Sequence, residues 1–185
     1  MRAILLRHGE TVWNRERRIQ GHADVPLTPL GRWQAYHAGF QLRHERASAI
    51  YASDLCRARE TALVVADVTG LPLLFDARLR ERDMGDLEGR PLLELAGRLG
   101  VEVRDGWAEF GDPRSGAEAW ERVRARMEAA LDDLAHRHRD STVIIVTHGG
   151  AINSLWPAAE RRSIGNGSFI ELWWPRPAKD LVEGA

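Results

Sequence analysis

The sequence predicts an α/β fold, a three-layer αβα sandwich with a mostly parallel central sheet. Three observations lead there. Residues 4–6 and 143–146 are unbroken apolar runs, the pattern of strands buried on both faces. Strand-like and helix-like segments alternate along the chain, as parallel strands joined by covering helices require. Both apolar runs end in a histidine followed by glycine, at His8 and His148. In open α/β sheets, ligands gather outside the carboxyl ends of the strands.

The elements follow in order. Residues 2–7 read as the first strand. Thr28-Pro29 is a helix start, with threonine as cap and proline in the first turn. The helix that follows carries Leu30, Trp33, His37 and Phe40 on one apolar stripe and fades near Arg46, with His37 read as structural. Residues 49–52 form a short strand. Ser53 or Asp54 is the expected cap of the next helix, which closes at Thr69-Gly70. Residues 71–75 read as a third strand. The stretch 81–116 is rich in glycine, carries short helical pieces such as 91–99, and is a candidate lid or pocket wall. Residues 118–138 form the longest helix, with Trp120, Val123, Met127, Leu131 and Leu134 at helical spacing. Residues 142–147 give the second central strand and 168–174 the last. Residues 175–185 read as a frayed tail.

Composition narrows the classes. The 185 residues fit one domain, 1–185, with room for a substantial core. A hydrophobic content of 44%, a charged content of 29% and a net charge of −1 are ordinary, so nothing global points to nucleic acid or membrane as a partner. Cys56 stands alone, which excludes an intramolecular disulfide and a paired-cysteine zinc site. No signal peptide or membrane span is legible, and a reducing cytoplasm is the expected compartment. Monomer and homodimer both stay open.

Four segments hold candidate chemistry. Arg7-His8-Gly9-Glu10-Thr11 sets a cation and an imidazole at a strand end, where glycine lets the backbone approach a ligand. Imidazole is nucleophilic only when neutral. Nearby arginines hold its pKa down and attract a phosphate dianion. In the block 53–62, Arg57 falls in the first turn of a helix, a place suited to anions. The segment 79–89 is dense in carboxylates, among them Glu81, a candidate proton donor. His148-Gly149-Gly150 closes the set. Each segment alone has a plain reading: a buried histidine, a capped helix with surface ion pairs, a solvated loop. Together they are far more specific.

In this order and spacing, the chain resembles the histidine phosphatase superfamily, which comprises the cofactor-dependent phosphoglycerate mutases and their phosphatase relatives. The resemblance runs from Ala3 to Ala151. It rests on Arg7-His8-Gly9-Glu10-Thr11 with Trp13-Asn14, and on the segment 21–28 leading to Gly31. It also rests on Ser53-Asp54-Leu55-Cys56-Arg57-Ala58, on Leu79-Arg80-Glu81 with Gly85, Glu88 and Gly89, and on Thr147-His148-Gly149-Gly150. One departure is Gly116-Ala117-Glu118, which lacks the serine the family often has there and bears on specificity. The segment between Glu81 and Gly116 is shorter than in the family's mutases, which favours a phosphatase.

The resemblance implies a phosphoglycerate mutase-like fold and a metal-independent phosphatase without cofactor. Its implied substrate is a small phosphorylated metabolite. His8 would become phosphohistidine. Arg7, Arg57 and a protonated or donating His148 would hold the phosphoryl oxygens. Glu81 would protonate the leaving alkoxide and then activate water, which calls for partial burial of Glu81 against apolar neighbours. Asn14, Gln20 and Gly149 are candidate substrate-binding residues. His22 is a candidate substrate contact, while His44, His136 and His138 read as solvent-facing. Met84, Trp13, Trp107 and Phe110 are candidates for an apolar pocket wall. The competing readings are a phosphoglycerate mutase, a metallohydrolase with His8, His148 and Glu81 as ligands, and a non-catalytic phosphate-binding module.

Overall fold

In the computed structural model, residues 1–100, 103–104, 107–108 and 116–175 are described. Strands β1 (Arg2–Arg7), β2 (Ala47–Ala52) and β3 (Leu73–Phe75) alternate with helices α1 (Val12–Arg15), α2 (Pro29–Leu42) and α3 (Cys56–Thr69). After α4 (Leu92–Leu99) come the two-residue strands β4 (Val103–Arg104) and β5 (Trp107–Ala108). Helix α5 (Trp120–Arg137), strand β6 (Thr142–Thr147), the short α6 (Gly149–Asn153) and strand β7 (Phe169–Trp173) complete the order. The main sheet runs β3-β2-β6-β1-β7, parallel except for β7, which lies antiparallel on β1. Among the described residues, no helix is long and apolar enough to cross a membrane.

The unbroken apolar runs of β1 and β6 divide their side chains between two cores. Ala3, Leu5, Val143 and Ile145 join Met127, Leu131 and Leu134 of α5 and Ile152 of α6 on one face. Ile4, Leu6, Ile144 and Val146 join Ala38 and Leu42 of α2 and Ala58, Ala62 and Val65 of α3 on the other. A third cluster, Ile19, Met84, Leu87, Leu95 and Ala96, seats α4 beneath the cavity described below.

Two sequence expectations about helices are overturned. The apolar stripe of α2 faces outward: Leu30, Trp33 and Phe40 are exposed, and His37 is exposed and stacked on Trp33. The face of α2 that packs inward is Gly31, Ala35, Ala38, Gly39 and Leu42. Small residues let α2 and α3 approach closely; a Cβ on Gly39 would stand 3.1 Å from the Val68 Cβ. Helix α2 also stops at Leu42, short of Arg46. The second correction concerns α3. Its N-cap is Leu55 and no side chain caps it; Asp54 instead pairs with Arg80, and the Cys56 N–H donates to Asp24 Oδ1. The Thr28 cap of α2 and the Gly70 terminus of α3 form as the sequence predicts. Residues 176–185 and the Phe110 position lie outside the described residues, as does the Trp107 side chain.

Candidate active site

The register of the sheet builds the site. Strands β1 and β6 pair in parallel with Arg7 opposite Thr147, and the His8 N–H donates to the Thr147 carbonyl at 3.0 Å. His8 and His148 therefore leave adjacent strands at the same level, with ring centroids 5.1 Å apart. That separation is close to the ~4.8 Å spacing of neighbouring strands. Strand β2 flanks β6 on its other side and is followed by Ser53, whose N–H donates to the Val146 carbonyl. Three adjacent strands thus deliver Ser53, His148 and His8 to one edge of the sheet.

His8 is buried, and its Nδ1 lies 2.7 Å from the Gly9 carbonyl. A carbonyl can only accept, so Nδ1 carries the proton and Nε2 keeps its lone pair. Burial first, then the charges of Arg57 and Arg7, hold the His8 pKa well below the ordinary histidine range. His148 is pushed down in the same way, by burial and then by Arg57, His8, Arg7 and Arg126. Both imidazoles are neutral near pH 7. For His148, that direction favours the neutral, donating form over the protonated one.

Arg57 is wholly buried at the start of α3. Its Nη1 donates to the Ala23 carbonyl at 2.8 Å and its Nη2 to the Gly21 carbonyl at 2.7 Å. Burial lowers its pKa to about 10, so it stays charged at neutral pH. Arg7 Nη1 donates to the Ile164 carbonyl. That guanidinium lies against Gly149, where an added Cβ would make an ordinary 3.5 Å contact with Nε. Arg7 Nε, Arg57 Nε and His148 Nδ1 are buried and have no partner in the protein.

Glu81 completes the group. It is half-buried, and its carboxylate is met by backbone N–H groups. Oε1 accepts the backbone N–H groups of Arg82 and Ala151, both at 2.9 Å, and Oε2 accepts that of Gly150 at 3.1 Å. Gly150 permits this approach, since a Cβ there would come 2.4 Å from Oε1. Gly9 serves packing rather than ligand approach: its added Cβ would strike the Gly31 carbonyl oxygen at 2.2 Å.

A cavity of about 540 Å³ opens over these groups, lined by Arg7, His8, Arg57 and Glu81 with Asn14, Gln20 and Gly149. Trp13 and Met84 also line it, as expected, with Arg82 and Leu92 from the candidate lid segment. Other roles shift. His22 is not a wall of the cavity; its ring donates from Nε2 to the Glu81 carbonyl at 2.8 Å and holds that backbone. His138 is half-buried between the Tyr51 hydroxyl and Ser48 Oγ rather than solvent-facing. His44 and His136 are exposed.

Three contributors went unread in the sequence. Arg126 of α5 donates to the carbonyls of Arg78, Arg80 and Glu81 and binds Glu118 through two N–H groups. It pins the loop that presents Glu81. Asn166 donates to the His8 carbonyl and to Asn14 Oδ1, each at 3.1 Å. Trp120, read as a core position of the long helix, lines the cavity beneath the guanidinium groups of Arg82 and Arg161. The helical spacing of Arg126 and Trp120 carried no sign of these contacts, which join segments far apart in the chain.

Among the described residues, no three His, Cys, Asp or Glu side chains are grouped to hold a metal ion. The metallohydrolase reading thus lacks its ligand set: His8 Nδ1 is turned to Gly9, His148 Nε2 to Ser53, and Glu81 to three N–H groups.

Comparison with known proteins agrees with this geometry. The family model of the histidine phosphatase superfamily (branch 1) matches residues 3–172. The chain is 38% identical over 161 residues to phosphoglycerate mutase-like protein 4 of Arabidopsis thaliana, covering 84% of this chain and 70% of that one. It is 38% identical over 176 residues to the probable phosphoglycerate mutase GpmB of Yersinia enterocolitica, covering 88% and 79%. A mycobacterial glucosyl-3-phosphoglycerate phosphatase solved with vanadate superposes with a TM-score of 0.80 at 32% identity, covering 93% and 90%. The phosphoglycerate mutase of Bacillus anthracis gives 0.79 at 28% identity, covering 92% and 86%. With its sheet, paired histidines and site arginines in place, the chain belongs to the histidine phosphatase superfamily.

Proposed function

We propose that the protein is a metal-independent phosphatase that hydrolyses a small phosphomonoester through a phosphohistidine at His8. One observation carries the reading. Arg7 Nε, Arg57 Nε and His148 Nδ1 come from three separate segments and are buried without a protein partner, on side chains whose charge or ring bears on the neutral His8 imidazole. Buried donors left unpaired cost stability, and a phosphoryl group satisfies all of them at once.

In the first step, His8 Nε2 forms a bond to phosphorus while the bond from phosphorus to the ester oxygen breaks. Glu81, entering as the carboxylic acid, gives that oxygen its proton. In the second step, water loses a proton to Glu81 and attacks phosphorus; the N–P bond breaks and inorganic phosphate leaves. Phosphoryl transfer asks mainly for positioning and charge stabilisation, which the two arginines and the His148 N–H provide. Splitting the displacement into two steps is the usual gain of covalent catalysis. Glu81 Oε2 accepts one N–H where Oε1 accepts two, so it is the freer oxygen for proton exchange.

A phosphoglycerate mutase is the second reading, favoured by the names of the Arabidopsis and Yersinia relatives. Incubation with 3-phosphoglycerate separates the two: free phosphate marks a phosphatase, and 2-phosphoglycerate a mutase. Phosphate release over a panel of phosphorylated metabolites, in excess chelator, tests the main proposal. His8→Ala should lower turnover by on the order of 10⁴-fold or more with an unchanged circular dichroism spectrum. Comparable activity in that variant would remove the mechanism.

A further inference from the structure

Ser53 offers no cap to α3, although it stands where the sequence expects one. Its side chain turns the other way. Ser53 is fully buried, and its Oγ lies 2.8 Å from Nε2 of His148, which is also fully buried. The same Oγ accepts the Leu55 N–H at 3.3 Å.

We infer that Ser53 is a positioning residue that fixes the tautomer of His148, placing the single imidazole proton on Nδ1, the nitrogen left without a protein partner and so available to the phosphoryl group of the proposed reaction.

The argument is an accounting of protons. A neutral imidazole has one N–H, so one ring nitrogen donates and the other accepts. If Nε2 carried the proton, it would donate to Ser53 Oγ. The serine hydroxyl proton would then need another acceptor in a place closed to water. Nδ1 would turn a bare lone pair toward a dianion. If Ser53 donates instead, Nε2 accepts, Oγ still takes the Leu55 N–H, and the proton sits on Nδ1. That is the buried nitrogen with no protein partner. Burial first, and then the charges of Arg57 and Arg7, also hold the ring neutral. A neutral ring makes the position of its proton decisive.

The fold explains why a serine can do this. Ser53 follows β2 directly, and β2 is the neighbour of β6 in the sheet, with Ala52 opposite Val146. One residue past that register, Ser53 stands beside Thr147, and the His148 ring folds back onto its hydroxyl. His8 has the equivalent device in the residue next to it, with the Gly9 carbonyl holding the proton on its Nδ1. The two histidines thus share a tautomer for opposite ends: His8 keeps Nε2 bare to attack, and His148 keeps Nδ1 protonated to bind. Among the described residues, the Ser53 hydroxyl is the contact that distinguishes the two nitrogens of His148.

The inference rests on the phosphoryl-transfer reading for its purpose, while its central fact can be measured without substrate. Long-range proton–nitrogen correlation spectra of the histidine-labelled protein should show His148 protonated at Nδ1 and bare at Nε2. Ser53→Ala should give mixed tautomers and weaken binding of inorganic phosphate about 10- to 100-fold. Ser53→Thr, which keeps the hydroxyl, should recover most of the affinity and the single tautomer. A wild-type spectrum with Nε2 protonated overturns the inference. So does a Ser53→Ala protein that keeps the Nδ1 tautomer and its phosphate affinity, or one whose lost affinity Ser53→Thr does not recover. If Ser53→Ala fails to fold, the wild-type spectrum decides alone. Full turnover by His8→Ala would sink the phosphatase reading and leave the tautomer result standing, so the two fail separately.

Discussion

At the residue scale, the account depends on charge state. His8 can attack phosphorus only as a neutral imidazole, and its burial beside Arg57 and Arg7 keeps it so. The sign of the pH dependence follows. Above pH ~6.5 both site histidines are neutral in the folded and the unfolded chain. As pH falls below that value, the unfolded chain takes up protons that the folded site refuses. The two histidines therefore lower stability progressively on acidification, down to their depressed folded pKa values. Activity should persist to lower pH than a histidine of ordinary pKa allows, and a profile of kcat/KM against pH checks this. An acid limb centred at or above pH ~6.5 would contradict a depressed His8 pKa. The positions of these residues at the strand ends were legible because they depend on residue type and motif. The surroundings of Glu81 were not: its three N–H partners come from Arg82 beside it and from Gly150 and Ala151, which only the fold brings near.

At the element scale, α2 shows where pattern misleads. Helical spacing finds the apolar stripe but cannot tell which face is inside, and here small residues win the interior because α3 packs so close. Replacing Trp33 and Phe40 by glutamine should change stability by less than about 1 kcal/mol in chemical denaturation. Core positions for those residues would make the loss about 3–5 kcal/mol for each truncation. Helix α5 makes the complementary point. Its core face was legible from spacing, while Arg126 was hidden because its role is to pair with carbonyls of another segment. Arg126→Lys keeps the charge and loses the fork that spans three carbonyls. Steady-state kinetics should show kcat reduced about 10²-fold through misplacement of Glu81. An unchanged kcat would mean that the loop holds itself.

At the scale of the whole molecule, the order of the main-sheet strands and the long helices, the buried central strands and the meeting of His8 and His148 at one sheet edge were readable in the sequence, while α1, α6, the β4–β5 pair and the antiparallel β7 were not. The readable features follow from periodicity, caps and the topology of parallel sheets. What was not readable is what two distant segments do when they meet: Ser53 on His148, Asn166 on His8, Trp120 over the cavity. Local sequence holds no record of such pairs. The central claim is nonetheless a local one, that a single nitrogen on His8 takes the phosphoryl group. Rapid acid-free quenching of the enzyme with p-nitrophenyl phosphate, followed by peptide mass analysis, tests it most directly. The account predicts one acid-labile phosphoryl group on the peptide that contains His8, absent from His8→Ala. A phosphoryl group on another residue, or steady turnover with no phosphoenzyme at any time, would contradict it.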